Sequence, residues 1–336
     1  MSGRVERKRF LMMKILKDSG IPLSSQKIRE ELVARGMDIS ERTVRFHLKA
    51  LDSMGLTNYR EKKGRYLTPK GLTELSKAHV FDRVGFLSSK IDELTFKMTF
   101  NPEKAEGSVL VNLSLVDKKD IGKIVPLITP VFSSGLAHGS LLSLFNEGER
   151  VGENIIPDGK IGLGTVCSIT FNGALLHAGI PVTSIFGGLL DIHDRAADRF
   201  IEIIHYSGTS LDPLEIFITS RMTDVYNSAV NGNGQIGASF REIPSAAREQ
   251  VMEVDSLLKK SGLGGFLKLG YSSQPLLDVP VGDGRTGMII AGGLNAVAPL
   301  VEKGLIVISN ALSGLIDFSK LFYYEELYER LKKLPS

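Results

Sequence analysis

Two passages of this chain are versions of one another, and that repeat limits the folds open to most of its length. NIIPDGKIGLGTVCSITFNGALLHAGIPVTSIFGGLLDI (154–192) aligns with LDVPVGDGRTGMIIAGGLNAVAPLVEKGLIVISNALSGLIDF (277–318). Asp158-Gly159 answers Asp283-Gly284, Lys160 answers Arg285, Asn172 answers Asn295, Gly188 answers Gly314 and Asp191 answers Asp317. Upstream, VLVNLSLV (109–116) answers QIGASFREI (235–243), 122–132 answers 246–259, and Gly135 answers Gly262. A repeat of this kind means one structural unit built twice. Periodicity makes each copy a strand, a helix, a Gly-rich turn, a strand, a DG turn, a strand, a helix and a strand. The expected body is therefore an internally duplicated α/β domain, with halves at 107–232 and 233–330 related by a pseudo-twofold axis.

The copies differ at one turn. The first reads GLGTVCSITFNG from Gly162, and the second reads GMIIAGGLNA from Gly287. Thr165, Cys167, Ser168 and Thr170 thus stand where the second copy has mostly small apolar residues. A strand entering a helix with hydroxyls and free N–H groups at the turn can hold a small carboxylate. Caps and strand-face hydroxyls are the ordinary use of such residues, and a lone Cys167 is commonly a small buried apolar group. No Ser-His-Asp order, metal-ligand cluster or phosphate loop accompanies them. His138, His177, His193 and His205 occur among scattered acids with nothing to fix their proximity. No catalytic and no metal-binding residue is assigned.

The N-terminal part is of another kind. In ISERTVRFHLKALDSMGL (39–56), Ser40 is a helix start, and Val44, Leu48 and Leu51 share one face. Arg42, Arg45, Phe46 and Lys49 share the other, and Gly55 stops the helix. Before it come a helix at 6–17 (Phe10, Met13, Ile15, Leu16) and one through Ile28, Leu32 and Val33, capped by Ser24 or Ser25. After it, LTNYREKKGRYLTPKG reads as a hairpin with a basic tip at 61–65. This is the element order of a winged helix-turn-helix at 1–78. The string S-x-R-T-V-R-x-H-L-x-x-L-x-x-x-G-L resembles the recognition helix of many bacterial and archaeal winged-helix repressors. Such a helix enters the major groove and the wing tip meets the backbone or minor groove. Base reading falls to Arg42, Thr43, Arg45 and Phe46, with Lys49 beside them. Arg45 suits a guanine and Phe46 a thymine methyl. Lys62, Lys63 and Arg65 are placed on phosphates. Phe46 packed on the hairpin is an equal alternative, and His47 reads as a packing residue.

Charge divides the chain in the same place. Residues 1–70 hold 17 Lys+Arg and 8 Asp+Glu, net +9, whereas 71–336 hold 24 and 30, net −6. A basic head on an acidic body points to double-stranded DNA as the head's partner. Residues 79–106 read as a connector, helical through Val80, Val84, Leu87, Ile91 and Leu94, then strand-like at TFKMTF. Lys14 and Lys17 interrupt the apolar part of the N-terminus, which argues against a signal peptide. No apolar run is long enough to span a bilayer. The single cysteine excludes an intrachain disulfide, and a cytoplasmic location is expected.

The whole chain resembles the NrpR family, archaeal repressors of nitrogen-assimilation genes. The winged-helix string carries part of the likeness. GLGTVCSITFNGALLHAGIPV (162–182), followed by FGGLLDI, carries more, because it is long and unusual in composition. The resemblance implies a homodimer or higher oligomer on an inverted-repeat operator, with 2-oxoglutarate as the effector that lowers DNA affinity and no cofactor. It places the effector at Thr165, Cys167, Ser168 and Asn172, with His177 or Lys160 as further contacts. Longer members carry the body twice and this chain carries it once, so a companion regulator of the same family is a further expected partner. Two other readings stand beside this one. One is an enzyme acting on a small carboxylate with a DNA-binding regulatory head, and the other is a body that recruits another regulator.

Overall fold

The computed structural model describes residues 2–34, 37, 39–60, 63–77 and 86–334. The chain divides into two compact units, Met1–Arg83 and Val84–Ser336.

The first unit is α1 (Ser2–Ser19), α2 (Ser25–Ala34), α3 (Glu41–Ser53), the hairpin β1 (Thr57–Arg60) and β2 (Gly64–Leu67), and α4 (Pro69–Lys77). Its core is the apolar stripe predicted for each helix. Met12, Ile28, Leu32, Val44 and Leu48 are fully buried together, whereas Val33 stays exposed. Ser24 accepts the Lys27 N–H and caps α2. Ser40 accepts the Thr43 N–H at 3.2 Å and caps α3. Leu23 pairs with Arg65, adding a third short strand position to the wing. Gly64 makes that pairing possible, since a Cβ there would lie 2.5 Å from the Leu23 carbonyl oxygen.

The second unit opens on α5 (Phe86–Lys97). Leu87, Ile91 and Leu94 bury against Leu110, Cys167, Ile169 and Leu312 of the same unit. Val80 and Val84 lie outside the described residues. TFKMTF is not a strand: its first three residues finish α5, and Met98 and Phe100 then plug the body as an irregular segment. Their alternation came from two buried side chains, not from a pleat.

The first half continues with β3 (Ser108–Asp117), α6 (Ile121–Ser133), β4 (Leu141–Phe145), a small hairpin of β5 (Arg150–Val151) and β6 (Asn154–Ile155), and β7 (Lys160–Val166). It ends with α7 (Ile169–His177), β8 (Thr183–His193), β9 (Ala196–His205), α8 (Pro213–Thr219) and α9 (Val225–Asn231). The second half repeats the plan as β10 (Gly234–Pro244), α10 (Arg248–Lys260), β11 (Lys268–Leu269) and β12 (Arg285–Ala291). A 3-10 turn then leads into α11 (Ala298–Glu302), followed by β13 (Val307–Asp317), β14 (Phe322–Tyr323) and α12 (Leu327–Lys332).

The duplication is present, with an exchange that the repeat alone does not specify. The two five-stranded sheets run β13-β3-β7-β4-β14 and β11-β12-β10-β8-β9, and every pair is antiparallel. Each half therefore gives its last two strands to the other half's sheet, β8 and β9 in one direction and β13 and β14 in the other. Registers agree across the pseudo-twofold: Gly188 pairs with Ala238 and Gly314 with Val111. Both DG turns place glycine at positive φ, +72° at Gly159 and +69° at Gly284.

One sequence equivalence needs correcting. Asn295 accepts the Gly237 N–H and donates to the Gly237 carbonyl. In the first half that bracket, on Leu110, is made by the Thr170 hydroxyl. Thr170, not Asn172, is the counterpart of Asn295. The sequence alignment matched the amide by its name, whereas the fold matches the atom that clamps the strand.

Candidate functional site

On the first unit, α3 presents Arg42, Arg45, Phe46 and Lys49 to solvent, with Thr43 partly covered. Phe46 does not pack on the hairpin. It is 65% exposed, and its ring meets the edge of His47, with centroids 5.5 Å apart. His47 is buried beneath it, and desolvation, then Arg9 and Lys8, hold its pKa below the ordinary value. Arg45 rests on Glu41 at 2.6 Å, an exposed pair worth little. Lys63 is exposed on the wing, and Lys62 lies outside the described residues.

Arg65 departs from its expected role as a phosphate ligand. Its Nε lies 2.9 Å and 3.2 Å from the two Asp52 oxygens. Asp52 also accepts from Thr57 at 2.6 Å, so Arg65 ties the wing to the end of α3. Asp52→Ala is expected to lower the head's stability by about 1–2 kcal/mol, since the pair is mostly shielded from solvent. Thermal unfolding of the variant checks this.

In the second unit, the end of β7 and the start of α7 form the centre of a buried polar seam between the halves. Cys167 donates its N–H to Leu110 at 2.9 Å, the Thr170 bracket follows, and Ser168 turns the chain into α7. Arg241, from β10 of the other half, reaches this turn. It donates to the Ser168 carbonyl at 2.9 Å, to the Ser168 hydroxyl at 2.7 Å and to the Asn172 side-chain oxygen. Two of the four predicted effector residues are thus held by one guanidinium. Thr165 stands two residues back on β7, its hydroxyl buried without a hydrogen-bond partner. Cys167 and Ser168 line a small inner cavity with Asn112, Tyr206, Asp212 and Leu312. Lys160 and His177 do not join them. Lys160 is paired with Asp117 at 2.8 Å, and His177 lies exposed at the far end of α7.

The electrostatics of the seam follow from burial. Desolvation raises the Cys167 thiol to about 12, which leaves it a neutral apolar-like group instead of a nucleophile. Desolvation also raises Asp212 to about 6, although Asp212 accepts the Leu214 and Glu215 N–H groups as the cap of α8. Arg241 is fully buried and lowered by desolvation to about 10, so it remains a cation at neutral pH. Among the described residues no carboxylate pairs with it. His138 is also buried, and desolvation followed by the Arg241 charge lowers it to about 3.

That histidine gives a pH prediction. Its folded pKa lies below the unfolded value of about 6.5, so the unfolded chain binds the proton first as pH falls. Its stabilising contribution is complete above about pH 6.5 and shrinks toward pH 3. The loss should reach about 3 kcal/mol at pH 4.5 relative to neutral pH. Urea unfolding at both pH values measures it, and His138→Gln should flatten the difference.

Arg241 was missed in the sequence. An arginine at an inward position of the glycine-bearing strand IGASFREI, beside Glu242, was the available signal. Its counterpart in the first copy is Ser114, which contacts Ser309 across the same seam. Among the described residues, no group of three or more His, Cys, Asp or Glu could hold a metal ion. No helix among them is long and apolar enough to cross a membrane.

A family model described as NrpR regulatory domains NRD1 and 2 matches residues 84–322, most of the second unit. The chain belongs to the NrpR family. Residues 10–75 also match a model described as the Ribonuclease R winged-helix domain. The global nitrogen regulator NrpRI of Methanosarcina mazei is 39% identical over 96% of this chain and 99% of its own length. The global nitrogen regulator NrpR of Methanocaldococcus jannaschii is 33% identical over 98% of this chain, which spans only 56% of that longer protein. Among solved structures, a nitrogen repressor-like protein from Methanococcus jannaschii superposes with a TM-score of 0.59 at 28% identity. That match covers 70% of this chain and 97% of the other. The family, the N-terminal winged helix and the α/β body all agree with the expectations from sequence. The homologues support a nitrogen-regulatory repressor.

Proposed function

We propose that this chain binds an inverted-repeat operator of nitrogen-assimilation genes as a dimer and is released from it by 2-oxoglutarate. The observation that carries the reading is the pairing of a basic, solvent-facing α3 with a body whose buried cation lacks a counter-ion. The first suits a polyanion, and the second suits a small one. Linkage supplies the mechanism: an effector that favours the body's DNA-incompetent arrangement weakens operator binding, and operator weakens effector binding by the same factor. The relatives' names as regulators, together with a thiol held neutral and a histidine buried away from solvent, favour this over an enzyme acting on a small carboxylate. Operator binding by a companion regulator in complex with this chain is the form the function takes if the dimer alone binds weakly.

The test is fluorescence anisotropy of DNA selected from a random pool by the full chain. Millimolar 2-oxoglutarate is expected to lower affinity at least tenfold at fixed salt. Unchanged affinity would remove the effector assignment and leave the DNA-binding one standing.

A further inference from the structure

The two halves carry the same helix in the same place but give it different outer faces. α6 follows β3 and α10 follows β10, each after a 3-10 turn and each 13 residues long. Ile121, Gly122 and Pro126 of α6 thus answer Arg248, Glu249 and Glu253 of α10. The inward stripes agree: Ile124, Ile128 and Val131 are buried on α6, and Val251, Val254 and Leu258 on α10. Outward, α10 is charged as a solvent face is, whereas Lys123 is the only charged residue of α6. The position in the fold does not ask for an apolar outer face, so α6 has one for another reason.

That face forms one wall of a groove of about 530 Å³, and Tyr328 and Leu331 of α12 form the other. Pro126 and Pro130 both stand in the α6 wall. Neither has an N–H, so the carbonyls of Gly122 and Pro126, one turn earlier on the same stripe, lose their helical donors. The groove is therefore apolar with acceptor oxygens along one side. It fits a group that is apolar in body and ends in a donor, as a tyrosine does.

The same surface supplies such a group. Tyr328 stands at the edge of the groove, 53% exposed, with the Lys332 ammonium 3.9 Å from its ring centre. Charge around it is ordered along the chain: Glu325, Glu326 and Glu329 come first, and Arg330, Lys332 and Lys333 follow, all of them exposed. Two such segments packed antiparallel about a twofold axis set the acidic end of each on the basic end of the other. The sign changes between Glu329 and Arg330, so the axis passes there. The pairs within one chain, Arg330–Glu326 at 2.8 Å and Lys332–Glu329 at 3.3 Å, are exposed and cost little to exchange.

We propose that the face formed by α6 and α12 is where a second copy of this chain docks, with Tyr328 of each copy entering the α6 groove of the other. This rests on the dimer reading above and names the surface that reading needs. The contact is isologous, and each phenol donates to a carbonyl that proline has left free.

The experiment is sedimentation of the full chain over a range of concentrations. Tyr328→Asp is expected to raise the dimer dissociation constant about a hundredfold, since it removes a central aromatic anchor and buries an unpaired charge. Tyr328→Phe keeps the ring and loses the donor, and should raise the constant about fivefold. Met252→Asp puts the same charge on the matching outer face of α10, where it should leave the dimer intact. A second readout uses thiols. Cys167 is the only cysteine and is buried, so Glu329→Cys adds a single accessible thiol beside the axis. A short bismaleimide should then link two chains. A dimer that survives Tyr328→Asp, or one that Glu329→Cys does not link, would overturn this surface and leave the dimer reading standing. A wild type still monomeric at about 100 µM, where a specific interface associates, would overturn the dimer reading itself and give the groove to another partner. Should Tyr328→Asp fail to fold, the thiol link in the otherwise unchanged chain decides.

Discussion

Replacing Arg42 and Arg45 together by alanine is expected to weaken binding to selected DNA by about a thousandfold. Each side chain that reads a base edge contributes about 1–3 kcal/mol of discrimination, and two at about 2 kcal/mol give three decades. Both lie on the solvent face of α3, and neither belongs to the core built on Val44, Leu48 and Leu51. Alanine is also the best helix former, so the head should unfold at nearly the wild-type temperature. Arg45 must leave Glu41 to reach a base, a step that costs only a few tenths of a kcal/mol for so exposed a pair. Lys63→Ala is the control. It should weaken selected and random DNA alike and reduce the salt dependence by about one phosphate contact. Anisotropy titrations over a range of salt give both quantities. A double variant that still binds within threefold of the wild type would mean that another surface reads the DNA.

How much of this was legible beforehand depended on distance along the chain. The solvent face of α3 could be placed because burial of Val44, Leu48 and Leu51 at helical spacing leaves only one face for Arg42, Arg45, Phe46 and Lys49. The DG turns could be placed because Gly159 and Gly284 meet a local backbone requirement. What stayed hidden depends on partners far apart. Arg65 looks like any wing cation until Asp52 is found beneath it. Arg241 lies 73 residues from Ser168, and a charge inside a strand does not say which turn it will hold. Nor does periodicity say which sheet a strand joins. β8 and β13 fit either the sheet of their own half or its twin, and exchange satisfies the same hydrogen bonds. The cluster at Ser168 and Asn172 was found through its unusual composition, but the cation that organises it came only with the fold.

Asn295→Leu is expected to destabilise the body by about 4 kcal/mol. The side chain is fully buried. Its oxygen accepts the Gly237 N–H at 2.9 Å, and its nitrogen donates to the carbonyls of Gly237 at 2.8 Å and Leu136 at 3.0 Å. Leucine is close in size, so little of the effect comes from a cavity. Instead it leaves the Gly237 N–H and the Leu136 carbonyl without their partner, at about 1–3 kcal/mol each before relaxation, while the Gly237 carbonyl keeps the Gly292 N–H at 2.8 Å. Thr170→Val supplies the internal comparison. It removes only the two hydrogen bonds to Leu110, at 3.2 Å and 3.1 Å, and should cost about 2 kcal/mol. The larger loss belongs at Asn295 because its third bond, to Leu136, joins the second half to the first. Equilibrium urea unfolding of the full chain gives both values. The pseudo-twofold equivalence predicts the same direction at both sites and a larger effect at Asn295, whereas a stable Asn295→Leu would mean that the clamp is not what holds the halves in register.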